Sequence, residues 1–225
     1  MRARLFASRI ACCDTVRLNT QNHCLRFFHM SDTPIKIALL SGSLRGESLN
    51  TKLVTAVAGE IERQDGVEID LISLNKLDLP IYDQDLEEKE FPAGALELKR
   101  RLKESDGFLI GSPEYNGSIS GALKNAIDWA SRPRPDEEPL ECFKGKGCGL
   151  LAASPGAIGG LRGLRHVRQI LTQLQMVVIP QEFALSKAHE AFDDAGQIKD
   201  ENARAMANNV GGSLVKMIRA LKCDV

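Results

Sequence analysis

The chain has 225 residues, 43% of them hydrophobic and 26% charged, an ordinary globular composition that fits one domain with extensions. It contains no apolar run near the roughly 18 residues needed to cross a bilayer, which excludes a membrane-spanning reading. The formal charge of −1 is uneven: Arg2, Arg4, Arg9, Arg17 and Arg26 against Asp14 give residues 1–29 a net +4, leaving −5 on the rest, so nothing resembles the basic stripe of a nucleic-acid binder.

Residues 1–30 read as an N-terminal extension, disordered and outside a domain spanning 31–225. Their Arg-rich, acid-poor composition is that of a mitochondrial presequence, but Cys12-Cys13-Asp14 breaks any amphipathic order. The rival reading places the natural start at Met30, one short step before the first strand. The expected location is cytoplasmic, or mitochondrial if the extension is a genuine presequence. Cys12, Cys13, Cys24, Cys142, Cys148 and Cys223 lack metal-ligand spacing and read as reduced thiols.

From Ile35 onward strands and helices alternate. Ile35–Leu40 is a short apolar run, a buried strand. Leu53, Val54, Val57 and Ile61 mark a helix over Asn50–Arg63, and Val67–Ile72 is a second strand. A long loop, Leu77–Pro92, includes the acidic residues Asp83, Asp85, Glu87 and Glu88, which read as a solvated face. Ala95–Glu104 is an amphipathic helix and Gly107–Gly111 a third strand. Gly121–Ala130 is a helix stopped by the Pro-rich stretch Ser131–Pro139. On it, Lys124 and Asp128 are spaced for an ion pair, and Trp129 reads as a core or dimer contact rather than a cofactor partner. Cys148–Ala153 is a fourth strand, Leu161–Leu174 a helix, Met176–Ile179 a fifth strand and Glu201–Leu221 the last helix. Five apolar strands separated by helices predict an α/β fold, a doubly wound parallel sheet in the order 2-1-3-4-5.

In such a sheet the ligand sits beyond the carboxyl ends of the strands, beside strand one. The loops after strands one, three and four are the unusual segments of this sequence. The first, Ser41 to Asn50, combines small residues, hydroxyls and an amide (Ser43, Ser48, Asn50) with the fixed charge of Arg45. It ends at a helix N-terminus, suited to a phosphate. A plain helix cap by Ser48 or Asn50 is the simpler alternative. A Walker loop lacks its Lys here, and the G-x-G-x-x-G fingerprint lacks its third glycine, so a terminal monoester phosphate fits better than a pyrophosphate. The second loop, Ser112 to Gly121, offers main-chain amides to a flat ring, with Tyr115 near its edge, or is merely a turn capping the next helix. The third, Ser154-Pro155-Gly156 to Gly160, allows close backbone approach, or is a flexible connection. His166 and His189 have no partners for a triad or a metal.

Gly42-Ser43-Leu44-Arg45 with Ser48 and Asn50, then Ser112-Pro113-Glu114-Tyr115-Asn116-Gly117 running into Leu123-Lys124-Asn125-Ala126-Ile127-Asp128-Trp129, resembles the NAD(P)H-dependent FMN reductase family. This is a flavodoxin-like group that includes chromate and quinone reductases. Ser154-Pro155-Gly156, Gly159-Gly160 and Arg162 are similar to its third loop, and the likeness spans about residues 35 to 185. The resemblance implies non-covalent FMN. Ser43, Leu44, Arg45, Gly46, Glu47, Ser48, Leu49 and Asn50 would lie on the phosphate, Pro113, Glu114, Tyr115 and Asn116 on the ring, and Ser154 nearby. It also implies a homodimer or homotetramer with FMN near the subunit interface, and NAD(P)H and small acceptors as partners. The chemistry would be the flavin's, so no catalytic side chain is assigned; an electron carrier of the flavodoxin type, or a non-catalytic redox sensor, is the rival.

Overall fold

The computed structural model describes residues 34–223; the expected extension, residues 1–30, lies outside the described residues. Strands β1 (Ile35–Ser41), β2 (Val67–Ile72), β3 (Gly107–Gly111), β6 (Gly147–Ala153) and β7 (Val177–Leu185) form one parallel sheet in the order β2-β1-β3-β6-β7. This is the expected doubly wound order. A two-stranded hairpin, β4 (Glu114–Tyr115) and β5 (Ser118–Ile119), stands apart from it.

The alternation of side chains along each strand divides the core in two. Ile37 and Leu39 of β1 pack with Leu109, Leu151, helix α1 (Leu49–Ile61) and helix α6 (Glu201–Cys223). Their neighbours Ala38 and Leu40 pack with Phe108, Ile110 and Leu150 on the opposite face. There the cover is α3 (Ala93–Glu104), α4 (Gly121–Ala130) and α5 (Leu161–Gln173). Both faces being buried, the three central strands read as continuous apolar runs.

Three boundaries differ from expectation for physical reasons. The fifth strand continues past Ile179 to Leu185, because Pro180 sits on an edge strand where a missing N–H costs no ladder bond. The register slips there, with Cys148 opposite Val178 but Leu150 opposite Glu182. The long loop holds a six-residue helix, α2 (Gln84–Lys89), capped by the Asp83 carboxylate on the Asp85 N–H; it buries no residue, so it left no periodic trace. The second site loop is itself the hairpin. Asn116 and Gly117 take φ of 52° and 77°, the left-handed pair that a two-residue hairpin turn requires.

Trp129 is fully buried, edge-on to Tyr82 and Phe91. Its Nε1–H donates to the Pro80 carbonyl at 2.7 Å. Asn125 also donates to Pro80 and accepts from the Tyr82 N–H, so α4 pins the long loop. Lys124 and Asp128 form the expected pair at 2.7 Å. Glu87 is drawn out of the acidic face by Tyr82 and Arg132. Cys142 and Cys148 are buried free thiols, and burial pushes both thiols above their ordinary pKa.

Candidate functional site

The three loops leave the carboxyl ends of β1, β3 and β6, which take in the topological switch beside strand one. Three side chains bind them to one another in pairs. Ser120 Oγ donates to the Gly42 carbonyl and accepts from the Leu123 N–H, tying the second loop to the first while capping α4. The Asn50 amide ties the first to the third: Nδ2 donates to the Ala153 carbonyl at 3.0 Å and Oδ1 accepts from the Ala153 N–H at 2.9 Å. Glu114 ties the second to the third: Oε1 accepts from Arg162 Nε at 2.8 Å, and Oε2 from the Gly163 N–H at 3.0 Å. Burial alone would raise the Glu114 pKa, but the Gly163 N–H and the Arg162 guanidinium more than offset it and hold the carboxyl below its ordinary range.

Close packing accompanies these bonds. A Cβ on Gly42 would lie 2.8 Å from Leu123 Cβ and 3.0 Å from Pro113 Cδ, so the first loop passes under the second only without a side chain. A Cβ on Gly163 would meet Glu114 Cβ and the Ser118 carbonyl at 3.3 Å.

The first loop carries the polar groups. Ser43 Oγ accepts from the Arg45 N–H, and Ser48 Oγ caps α1 on the Thr51 N–H. Leu44 to Glu47 are exposed, and the Arg45 guanidinium enters no ion pair among the described residues. The N–H groups of Leu49 and Asn50 open α1 and have no partner one turn back. Free amides, the helix dipole and one unpaired cation make an anion seat. The Asn50 side chain, expected beside a phosphate, is engaged by the end of β6. Nδ2 and Oδ1 each bond Ala153, and its backbone N–H remains for an anion. Glu47 is held by Lys52 at 2.8 Å.

Around the ring position the picture also shifts. Pro113 is buried and roofs Gly42. The Glu114 carboxylate is engaged by α5 and turned to structural use. Tyr115 is exposed beside the hairpin turn at Asn116, and Ser154 Oγ accepts from the Gly156 N–H at 3.2 Å. Leu44, Tyr115, Ile158 and Leu161, all on or at the ends of these loops, are 40–52% exposed. Among the described residues the hydroxyls of Ser41 and Ser112, at the ends of β1 and β3, are buried with no hydrogen-bond partner. Exposed apolar side chains, backbone amides and spare hydroxyls on these loops, with an anion seat on the first, suit a flat heteroaromatic ligand with a phosphate tail.

The sequence did not single out Ser120, nor the bracing partners of the Asn50 and Glu114 side chains. The Ser-Gly start of α4 signalled Ser120 as a cap, but the partners of the other two lie 103 and 48 residues away. Among the described residues no cluster of His, Cys, Asp or Glu could hold a metal, and no helix is long and apolar enough to cross a membrane.

Residues 35–190 match the family described as NADPH-dependent FMN reductase. An NAD(P)H-dependent FMN reductase of Pseudomonas aeruginosa is 35% identical over 194 residues, covering 86% of this chain and all of that protein. A 2-hydroxy-1,4-benzoquinone reductase of a Burkholderia species is 37% identical, covering 76% of this chain and 88% of its own. Among solved structures, the Paracoccus denitrificans flavoenzyme FerB, an NAD(P)H:(acceptor) oxidoreductase, superposes with a TM-score of 0.73. It is 32% identical and covers 83% of this chain and 98% of that one.

Proposed function

The chain belongs to the NADPH-dependent FMN reductase family, and from that premise we propose that it is an FMN-containing oxidoreductase passing electrons from NAD(P)H to small acceptors, quinones foremost. The observation that carries this reading is the convergence of three mutually tied loops on one sheet edge, with an anion seat at α1 and an apolar rim beside it. FMN fits those groups. Ser43, Arg45, Gly46, Ser48 and the amides of Leu49 and Asn50 would hold its phosphate. The main chain of Pro113 to Asn116 and Ser154 would border its ring. When bound, FMN supplies the hydride and electron chemistry. The chain's own residues bind it, orient it and leave one side open between the hairpin and the third loop. No side chain is assigned a proton-transfer role.

Quinone reduction is supported by the Burkholderia relative; free flavin and chromate would be further small acceptors. Both substrates would use the open side in turn, giving ping-pong kinetics. We further propose a cytoplasmic homodimer or homotetramer whose fold begins after residue 30. A groove of about 500 Å³ between α4 and α5, lined by Ile127, Ile170, Leu174, Lys124, Asp128 and Gln173, is the surface we propose for a second copy.

The test is direct. Purified protein should be yellow, its heat-released pigment should chromatograph as FMN, and NADPH oxidation with a benzoquinone should give parallel double-reciprocal lines. FAD as the pigment, or FMN binding without NAD(P)H oxidation, overturns the reading, the latter in favour of an electron carrier.

A further inference from the structure

Of the three ties between the site loops, the one through Glu114 is built differently. Ser120 and Asn50 reach backbone groups with neutral side chains. Glu114 places a full charge, only 7% exposed, between the hairpin and the first turn of α5. One oxygen takes the guanidinium of Arg162, the other the N–H of Gly163, the third residue of that helix. The carboxylate therefore serves as an N-cap supplied from another loop, since the residue at the cap position is Gly160 and has no side chain to offer. The approach is close: a Cβ at position 163 would lie 3.3 Å from Glu114 Cβ and from the Ser118 carbonyl.

The geometry points to Glu114 as a positioning residue. Its carboxylate fixes the start of α5, and the third loop leading into it, against the hairpin, and so sets the width of the opening that the ring and the nicotinamide share. The inference rests on the FMN reading above. It separates two roles that lie side by side in Pro113-Glu114-Tyr115: the main chain borders the ligand, and the Glu114 side chain faces away and sets the frame.

The partner Arg162 makes the idea testable, because its own side chain is 65% exposed and replacing it leaves the core untouched. Apoprotein of the wild type, Glu114→Gln, Arg162→Gln and the double variant is titrated with FMN by fluorescence quenching. Each single change should weaken binding about tenfold, the scale of one charge-assisted hydrogen bond. The double variant should be no weaker than the worse single, because both remove one interaction. In the reconstituted enzymes KM for NADPH should rise more than kcat falls. Amide exchange should quicken across residues 112–120 and 156–163 in both singles, with global melting little changed. Wild-type affinity in both singles overturns the proposal. So does loss in Glu114→Gln with none in Arg162→Gln, which would mean the carboxylate meets the ligand itself. If the wild type binds no FMN, the cofactor reading fails and exchange alone decides: quickening in both loops upholds the frame, and unchanged exchange overturns it.

Discussion

Replacing Asn50 by alanine should destabilise the fold without destroying the anion seat. Asn50 is 4% exposed and spends both ends of its amide on Ala153, at 3.0 and 2.9 Å. Alanine would leave the Ala153 N–H and carbonyl unpaired at the buried end of β6. Each such group costs about 1–3 kcal/mol, and partial entry of water trims the sum to about 3 kcal/mol. For a domain of this size that corresponds to a fall in Tm of about 6–12 °C. Asn50→Asp sharpens the test. It keeps an acceptor for the Ala153 N–H but sets a second acceptor against the Ala153 carbonyl, so at neutral pH it should be no better than alanine. That carboxyl, buried and facing an oxygen, has a folded-state pKa above its unfolded value, so stability should return as the pH falls through it. Urea unfolding followed by far-ultraviolet circular dichroism measures the loss; FMN titration at low urea measures the seat. A loss below about 1 kcal/mol together with collapsed FMN affinity would show that the side chain is a phosphate ligand after all.

Arg45→Ala should weaken FMN binding by about 1.5–3 kcal/mol with an unchanged Tm, since the residue lies on an exposed loop; equal affinity in a titration would reduce Arg45 to a surface charge. Gly42→Ala should cost both stability and flavin, because the new methyl meets Leu123 at 2.8 Å and Pro113 at 3.0 Å; calorimetry and pigment content together check it. Asp70 accepts from Arg101 Nε at 2.9 Å, and those hydrogen bonds hold its carboxyl below the ordinary range. Its contribution is therefore present above the unfolded pKa of about 3.9 and lost as pH falls through the lower folded value. Asp70→Asn should flatten the acid limb of a pH–stability profile and leave the neutral region lower. Removal of residues 1–29 should leave Tm and FMN content unchanged, because β1 begins at Ile35 and the family match begins there too; insoluble truncated protein would refute it.

The sheet was legible because its strands are apolar throughout and its helices are periodic, so Ile35–Leu40 and Gly107–Gly111 announced themselves. Its order followed from the handedness of crossovers. What stayed hidden was whatever a local pattern does not encode. Pro180 looked like a strand end because sequence does not reveal that β7 is an edge, and α2 buries nothing that could set a period. The loops were found by their composition, yet the same composition hid a division of labour. Asn50 and Glu114 have the polar side chains of ligand-binding residues, but both also bond backbone and ion-pair partners at the end of β6 and the start of α5. A binding loop and a bracing loop draw on the same residue types, and only the fold tells them apart.

The separations spanned by the three ties also carry a consequence for how the protein folds. Ser120 reaches back 78 residues, Asn50 reaches forward 103, and Glu114 reaches forward 48. The last two cannot form until β6 has joined β3, because Ala153 and the α5 start arrive only with that strand. Loop closure over such distances comes late relative to local helix formation. Before that moment the first loop and the α1 N-terminus lack the opposite wall that β6 and the α5 start supply. Cofactor capture must therefore follow folding rather than template it: added FMN should slow unfolding but leave the refolding rate of the apoprotein where it was.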